Sequence, residues 1–321
     1  MHLSRQPSIA VIGDINADLT LTVLSYPAQG DDVAAQAMRW GSGGAALNMA
    51  AMFVRLGAQT QLIGRVGSDN AAMIALHIAR DTGVDLACVQ HDQHAATGIC
   101  TAVVGPDGQR TFFTYRGANL LLDLDRNALA AIDTCGLLAI TAYALLEPQQ
   151  RASALRAIDY ATARGIPLLL DLCLPAARLC ADQINELLPQ IWLLTMNEAE
   201  LYTLLPGQTM DQAISTLLHT GVQHVVVKRG NQGCSAYTDG QYLDLLPPAV
   251  VAFDTNGCGD AFAAGYAFAL LRGADLSACA QLGNLLGALT ATRPGSADAL
   301  PTRAEILQHL DVRLHTLLTK E

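Results

Sequence analysis

Short apolar runs alternate with longer amphipathic segments along most of the chain. The runs have the length of buried strands, and the segments between them carry apolar residues at helical spacing. Strands are predicted at 8–15, 60–67, 135–143, 167–172, 191–197 and 224–230, and helices at 45–58, 70–84, 148–166, 198–205 and 211–221. This alternation predicts an α/β fold whose mainly parallel central sheet is covered by helices on both faces.

Two regions depart from this rhythm. Residues 18–40 and 96–117 alternate apolar and polar side chains with a period of two, the second around a Pro-Asp-Gly turn. Such patterns are typical of hairpins. They predict a small β-sheet lid on one large domain that spans residues 1–321. Residues 302–321 are predicted to complete this domain as an amphipathic helix.

Charge and hydropathy exclude several classes of protein. The 321-residue chain has a net charge of −10, and its two lysines, Lys228 and Lys320, belong to no basic run, so a nucleic-acid partner is not expected. The apolar stretch 261–271 is too short to span a membrane. A four-residue apolar run that ends before Gly13 is interpreted as a core strand and not as a signal peptide. Eight cysteines without metal-site spacing favour reduced thiols in a cytoplasmic protein.

The stretch DTNGCGDAF, residues 254–262, places two glycines directly before an apolar helix. Gly257 and Gly259 allow a tight turn whose amides, with the positive end of the helix dipole, can hold an anion. A carboxylate at Asp260 would repel a phosphate but could take the proton of a hydroxyl that attacks one. A glycine-rich turn with an aspartate in the first helical turn is the alternative interpretation.

A second glycine cluster, GSGGAALN at 41–48, also precedes a helix. It fits the dinucleotide pattern GxGxxA, but it follows a predicted hairpin and no acidic residue ends a second strand at the expected distance. Close approach to a small polar ligand by Gly43 and Gly44, with the amide of Asn48, fits better. A tight turn used for packing remains the alternative.

Two further motifs follow predicted strands. In NEAE, Asn197 and Glu200 lie on one face of a first helical turn, where Glu200 could hold Mg²⁺ through water. A capping pair is the alternative. In KRGNQG, the glycines suit a tight turn beside a nucleotide.

Together these motifs resemble the ribokinase-like (PfkB) carbohydrate kinases. DTNGCGDAFAAG resembles the DTxGAGDxFxxG signature, GSGGAALNMA the GGxxxN segment, NEAE the NxxE element and KRGNQG the K-x-G-x-x-G turn. They occur in family order from Ile9 to about Pro301. The resemblance implies a three-layer αβα domain with a lid, and ATP and Mg²⁺ as cofactors.

The resemblance also implies a role for each matching residue. Asp260 would be the catalytic base, and Gly257, Cys258 and Gly259 would form the anion hole. The sugar would be bound by Asn16, Asp18, Gly43, Gly44, Asn48 and Glu147. The nucleotide side would comprise Asn197, Lys228, Gly230, Gly233 and Asn284, and Glu200 would organise Mg²⁺ through water.

Three positions depart from the family pattern. Cys258 replaces an alanine, either as a small buried side chain or as a thiol acidified by the helix. Asn256 replaces a threonine near the K⁺ site of many members. Asp254 and the segment 291–296 still resemble that site, so K⁺ remains a possible further cofactor. Ala72 replaces a glycine, which concerns one close contact and not catalysis.

The leading hypothesis is therefore an ATP-dependent kinase for a primary hydroxyl of a small sugar or sugar derivative. A sugar acid could use Arg116 as its carboxylate partner, and a nucleoside kinase is the main alternative. A sugar-binding or nucleotide-binding regulator without catalysis would not need the carboxylate of Asp260. An NAD-linked oxidoreductase rests on GxGxxA alone. Exposed lid edges predict a homodimer formed through the lid.

Overall fold

The computed structural model describes residues 6–319. A nine-stranded sheet in the order β13-β12-β11-β10-β9-β8-β1-β4-β5 and a four-stranded sheet in the order β3-β2-β6-β7 contain the strands of this part of the chain. The strands are β1 (Ser8–Ile12), β2 (Asn16–Thr22), β3 (Ala37–Gly43), β4 (Gln59–Gly67), β5 (Val89–Asp92), β6 (Gly98–Val104), β7 (Arg110–Tyr115), β8 (Leu137–Thr141), β9 (Leu168–Asp171), β10 (Leu193–Asn197), β11 (His224–Lys228), β12 (Cys234–Thr238) and β13 (Gln241–Leu245). All pairings in the large sheet are parallel except β11–β12 and β12–β13.

Helices cover both faces of the large sheet, as the alternation of strands and helices predicts. They are α1 (Ala45–Leu56), α2 (Asn70–Ala75), α3 (His77–Thr82), α4 (Arg126–Thr134), α5 (Pro148–Thr162), α6 (Leu174–Leu179), α7 (Ala181–Leu187), α8 (Glu198–Leu204), α9 (Met210–His219), α10 (Cys258–Leu271), α11 (Leu276–Thr290), α12 (Arg303–His309) and α13 (His315–Thr319). Along β1, Ile9 and Val11 face the core under α1, α10 and α11, whereas Ala10 and Ile12 face the core under α4 to α9. Strands β1, β4 and β8 to β11 thus contribute buried side chains to two hydrophobic cores, and the predicted three-layer fold is confirmed.

The small sheet is the predicted lid. Residues 96–117 form a hairpin of β6 and β7 around a turn. Residues 18–40 contain an antiparallel pair, β2 and β3, but a long connection joins these strands in place of a tight turn. The two excursions are joined by a parallel pairing of β2 with β6.

The C-terminal segment differs from the single helix predicted over 302–321. Helix α12 ends at His309, the extended backbone of Leu310 follows, and α13 begins at His315. Residues 1–5 of the predicted domain and residues 320–321 of the predicted helix lie outside the described residues. Among residues 6–319, the structure contains no helix long and apolar enough to cross a membrane.

Candidate active site

A cleft of about 840 Å³ lies between the lid and the carboxyl ends of the central strands. Chain segments that follow β1, β8, β9, β10 and β11 meet there, which is where open α/β sheets bind ligands. The structure brings most of the predicted site residues to this cleft. These residues are Asn16, Asp18, Gly44, Asn48, Asn197, Glu200, Lys228, Gly230, Gly257, Gly259 and Asp260.

Asp260 lies in the first turn of α10, next to a set of unpaired amides. Gly257 caps the helix with a left-handed φ of 73°, a conformation that glycine adopts without strain. Within residues 6–319, no acceptor binds the amides of Gly257, Gly259 and Asp260. These donors and the positive end of the helix dipole form a place where an anion can bind beside a carboxylate.

The side chain of Asn48 holds the carboxylate of Asp260 in place. Its Nδ2 donates to Oδ2 of Asp260 at 2.7 Å and to Oγ of Ser296 at 2.8 Å. Asn48 reaches this position because Gly44, at φ 94°, begins α1 where a side chain would overlap the backbone of Asp14. The second carboxylate oxygen of Asp260 has no hydrogen-bond partner among the described residues and can accept a proton.

Burial and the nearby carboxylate of Asp171 raise the pKa of Asp260 to about 7, against the opposing effects of Asn48 and Lys228. Lys228 Nζ bonds Asp171 Oδ1 at 2.6 Å, and Thr195 donates to the same oxygen at 2.5 Å. A side chain at Gly259 would lie 3.4 Å from this ammonium group. The lysine therefore places a positive charge beside the anion-binding turn.

Asn197 and Glu200 form a reciprocal capping box at the start of α8. The amide of Asn197 donates to Glu200 Oε2 at 2.8 Å, and the amide of Glu200 donates to Asn197 Oδ1 at 2.9 Å. Both residues also line the cleft, so capping and ligand binding are compatible here. Burial raises the pKa of Glu200, and Lys228 opposes this shift.

At the lid side of the cleft, Asn16 and Asp18 lie on β2. Asn119 donates to Oδ1 of Asn16 at 2.9 Å, which leaves the Nδ2 of Asn16 as a donor toward a ligand. Oδ1 of Asp18 is buried without a partner. Burial, followed by the nearby carboxylate of Asp298, raises the pKa of Asp18 to about 7. A side chain at Gly43 would overlap this carboxylate, so glycine is required there to leave room for it.

A buried polar cluster forms the floor of the cleft between β1 and α5. Arg116 Nη2 bonds Asp14 Oδ1 at 2.8 Å, the Gln150 side chain at 2.7 Å and the carbonyl of Tyr143 at 2.9 Å. Gln150 in turn donates to Asp14 at 2.8 Å. Nε and Nη1 of Arg116 are buried without partners, so the cluster has spare donors although its charge is compensated.

Six predicted site residues, Gly43 among them, do not line the cleft. Glu147 is exposed at the N-terminus of α5, and Gln150, one turn further, points inward in its place. Gly233, at φ 80°, turns the chain into β12, and Asn284 donates to the carbonyl of Leu245. Cys258 Sγ lies 3.8 Å from the carbonyl of Asp254, and neither residue lines the cleft. Burial and nearby carboxylates raise the pKa of Cys258 to about 12, so the thiol is not acidified and acts as a small buried side chain.

Several charged residues of the cleft were not predicted as site residues. Asp14 and Asp171 each stand at or just after the carboxyl end of a strand, a position that could have pointed to them. Asp298 and Arg39 are brought in by a 3₁₀ turn and by the lid, and no local sequence signal distinguishes them.

Comparisons with known proteins agree with this geometry. The pfkB family carbohydrate kinase profile matches residues 6–303. Ribokinase from Arabidopsis thaliana is 27% identical over 96% of this chain and 82% of its own length, and fructokinase-1 from Zea mays is 28% identical over 84% and 88%. The structure of Arabidopsis thaliana ribokinase complexed with ribose and ATP superposes with a TM-score of 0.81 at 25% identity, covering 99% of this chain and 100% of that one. A putative ribokinase II from E. coli in complex with ATP and Mg²⁺ gives 0.83 at 25% identity, covering 94% and 98%. The chain therefore belongs to the pfkB family of carbohydrate kinases and is a sugar kinase, a phosphotransferase.

Proposed function

We propose that this kinase transfers the γ-phosphoryl group of ATP to a primary hydroxyl of a small neutral sugar or sugar derivative, with Asp260 as the general base. One observation carries the proposal: a carboxylate with a pKa of about 7 stands beside unpaired amides at a helix N-terminus. A base works best when its pKa lies near the working pH, and the amides offer donors where charge develops on the transferred group.

The chain's own residues suffice to orient the acceptor. Asn48 fixes one oxygen of Asp260, so the other is free to take the hydroxyl proton while the oxygen of the substrate attacks phosphorus. The amides of Gly257, Gly259 and Asp260 then stabilise the charge on the phosphoryl oxygens, together with the ammonium group of Lys228. Holding the reactants in line supplies a large part of such catalysis.

The nucleotide side of the cleft fits ATP with Mg²⁺, the ligands of the related E. coli structure. Glu200 and Asn197 face the cleft beside Lys228 and Gly230. The described residues contain no cluster of three or more metal-ligating side chains, which agrees with an ion held by few carboxylates, water and phosphate oxygens. When bound, Mg²⁺ would neutralise charge on the phosphates, and Glu200 would hold its water ligands.

The charges of the cleft favour a neutral acceptor. Six carboxylates line it, against the three cations Arg39, Arg116 and Lys228. Arg116 is paired with Asp14 and Lys228 with Asp171, so an anionic sugar would meet uncompensated acids. Ribose, bound by the related Arabidopsis thaliana ribokinase, belongs to the hydroxyl-rich class that Asn16, Asp18 and the spare donors of Arg116 suit.

We propose that residues 1–321 form one kinase domain and that two copies pair through the lid, which exposes Met38, Trp40, Phe113 and Tyr115. Exposed apolar side chains on sheet edges favour association. The eight free thiols support a cytoplasmic location.

The test is a coupled ADP-release assay over pentoses, hexoses, sugar acids and nucleosides. The wild type is compared with Asp260→Asn and with Asp159→Asn, a control on the exposed face of α5. We expect activity with a neutral sugar, a loss of at least ~10²-fold in kcat for Asp260→Asn, and no loss for the control. Near-normal turnover by Asp260→Asn would remove Asp260 from the role of base, and a sugar acid or nucleoside as best substrate would overturn the proposed acceptor class.

A further inference from the structure

The carboxylate of Asp254, where the family resemblance allows K⁺, is already occupied by protein donors. Its Oδ1 accepts the amide of Asn256 at 2.8 Å, and its Oδ2 accepts the amide of Gly295 at 2.9 Å. The carbonyl of Ala291, on the neighbouring segment, accepts the amides of both Phe253 and Asp254. Both carboxylate oxygens of Asp254 and the carbonyl of Ala291 therefore already accept hydrogen bonds from N–H groups.

A guanidinium group supplies the positive charge at this place. Arg110, at the start of lid strand β7, lies with its Nη2 at 3.1 Å from Asp254 Oδ1 and 3.3 Å from the carbonyl of Phe253, and with its Nη1 at 3.1 Å from Thr255 Oγ1. The two side chains of the ion pair are only 16% and 7% exposed, so water screens the pair weakly. The residues present do not fit a monovalent cation at Asp254.

The same contacts connect the lid with the anion-binding turn. Asp254, Thr255 and Asn256 lead directly into Gly257, the cap of α10. Arg110 lies in the hairpin of β6 and β7, which belongs to the lid. A guanidinium that bonds a carboxylate, a carbonyl and a hydroxyl of one loop fixes the conformation of that loop through several directed hydrogen bonds.

We propose that Arg110 replaces the monovalent cation in this protein: it compensates Asp254, positions the turn that carries Gly257 to Asp260, and makes the enzyme independent of K⁺. Arg110 is thus a positioning residue, because it acts on the reaction through the loop. The proposal rests on the proposed function for its kinetic part, whereas the thermal part of its test does not.

The kinetic test compares K⁺, Na⁺ and choline chloride at equal ionic strength. The kcat/KM of the wild type should vary by less than about 2-fold among the salts, whereas Arg110→Gln should lose about 10-fold in choline because the charge of a buried carboxylate is left uncompensated. K⁺ should restore part of this loss in Arg110→Gln, and Arg110→Lys should keep more activity than Arg110→Gln. The control Arg126→Gln removes an exposed arginine of α4 and should behave as the wild type does.

Activation of the wild type by K⁺ of about 5-fold or more, or an unchanged kcat/KM in Arg110→Gln, would overturn the proposal. Melting temperatures in the same salts test K⁺ binding through its effect on stability, and this measurement does not depend on catalysis. K⁺ and choline should give the same value for the wild type, and K⁺ should raise that of Arg110→Gln specifically. A K⁺-specific rise in the wild type would contradict the proposal even if no sugar were phosphorylated, and the absence of turnover with every sugar would count against the proposed function alone.

Discussion

The side-chain amide of Asn48 donates a 2.7 Å hydrogen bond to Asp260 across 212 residues of sequence. It joins the first turn of α1 to the first turn of α10, and thereby the two glycine clusters. The hydrogen bond from Asn48 lowers the pKa of Asp260. Asn48 therefore influences the pH above which the carboxylate of Asp260 is ionised and can act as a base.

Replacing Asn48 should shift the pH dependence of catalysis. In Asn48→Ala the carboxylate of Asp260 loses its donor, so its pKa rises. The acid limb of kcat/KM should then move to higher pH. Rate profiles from pH 5 to 9 would measure the shift, and an unchanged limb would show that Asn48 does not act on the base.

Removing the charge of Asp260 should stabilise the fold although it lowers turnover by at least ~10²-fold. The pKa of Asp260 is raised from 3.8 to about 7 in the folded protein, so the folded state binds the proton more tightly than the unfolded chain does. Stability from this group is complete below pH ~4 and is lost as the pH rises through about 7. Asp260→Asn avoids that loss.

The melting temperature of Asp260→Asn should therefore exceed that of the wild type by several degrees at pH 8 and by much less at pH 5. Calorimetry at both pH values, with Asp159→Asn as the control, checks this difference. An equal difference at both pH values would mean that the charge of Asp260 is not the cause.

The ionisation of Asp18 should add a second pH-dependent step to the kcat/KM for the sugar. With its pKa also near 7, Asp18 becomes protonated in the same range as Asp260, and its ionised form is the stronger acceptor for sugar hydroxyls. The acid limb of log kcat/KM should approach a slope of two in the wild type and of one in Asp18→Asn, whose KM for the sugar should rise about 10-fold or more. Asp298→Asn removes a nearby charge that raises the pKa of Asp18, so it should move the limb to lower pH. A slope that is the same in the wild type and in Asp18→Asn would refute the role.

Gly43→Ala should weaken sugar binding without affecting ATP. The new methyl group would overlap the carboxylate of Asp18 and displace it, and misplacement on this scale should raise the KM for the sugar about 10-fold or more. The KM for ATP should change less than about 2-fold. Gly136→Ala is the matched control, because its methyl group would meet only the carbonyl of Ser8 at 3.6 Å. Equal effects of the two substitutions would contradict the steric explanation.

Local sequence patterns predicted the strands, the helices and the glycine turns, because these depend mainly on residues that are close together in the chain. Buried strands and amphipathic helices follow from periodicity, and the glycine turns before α1 and α10 follow from backbone sterics. Glu147 and Gln150 show the limit: both lie near the start of α5, and only the packing of that helix against β8 decides which of them is buried against Asp14 and Arg116. The C-terminal helix was overestimated because amphipathic periodicity continues through Leu310, where the backbone becomes extended.

Partners distant in sequence could not be predicted from local patterns. Asp171 meets Lys228 because β9 and β11 lie on either side of β10 in the sheet. Arg110 meets Asp254 because the lid reaches over the cleft. The two residues are far apart in sequence, so local patterns allow K⁺ at Asp254 and do not predict a guanidinium group there. Contacts of this kind can be predicted only when the order of the strands and the position of the lid are known.

The parallel pairing of β2 with β6 has a consequence for engineering. A parallel pair cannot be closed by a short turn, so the two excursions of the lid leave the core at separate places and pair with each other only where both are present. The lid cannot be transferred to another protein as a single hairpin. Deleting either excursion would remove the pairing of β2 with β6 and expose a new strand edge. Chimaeras that exchange acceptor preference must therefore swap both segments together.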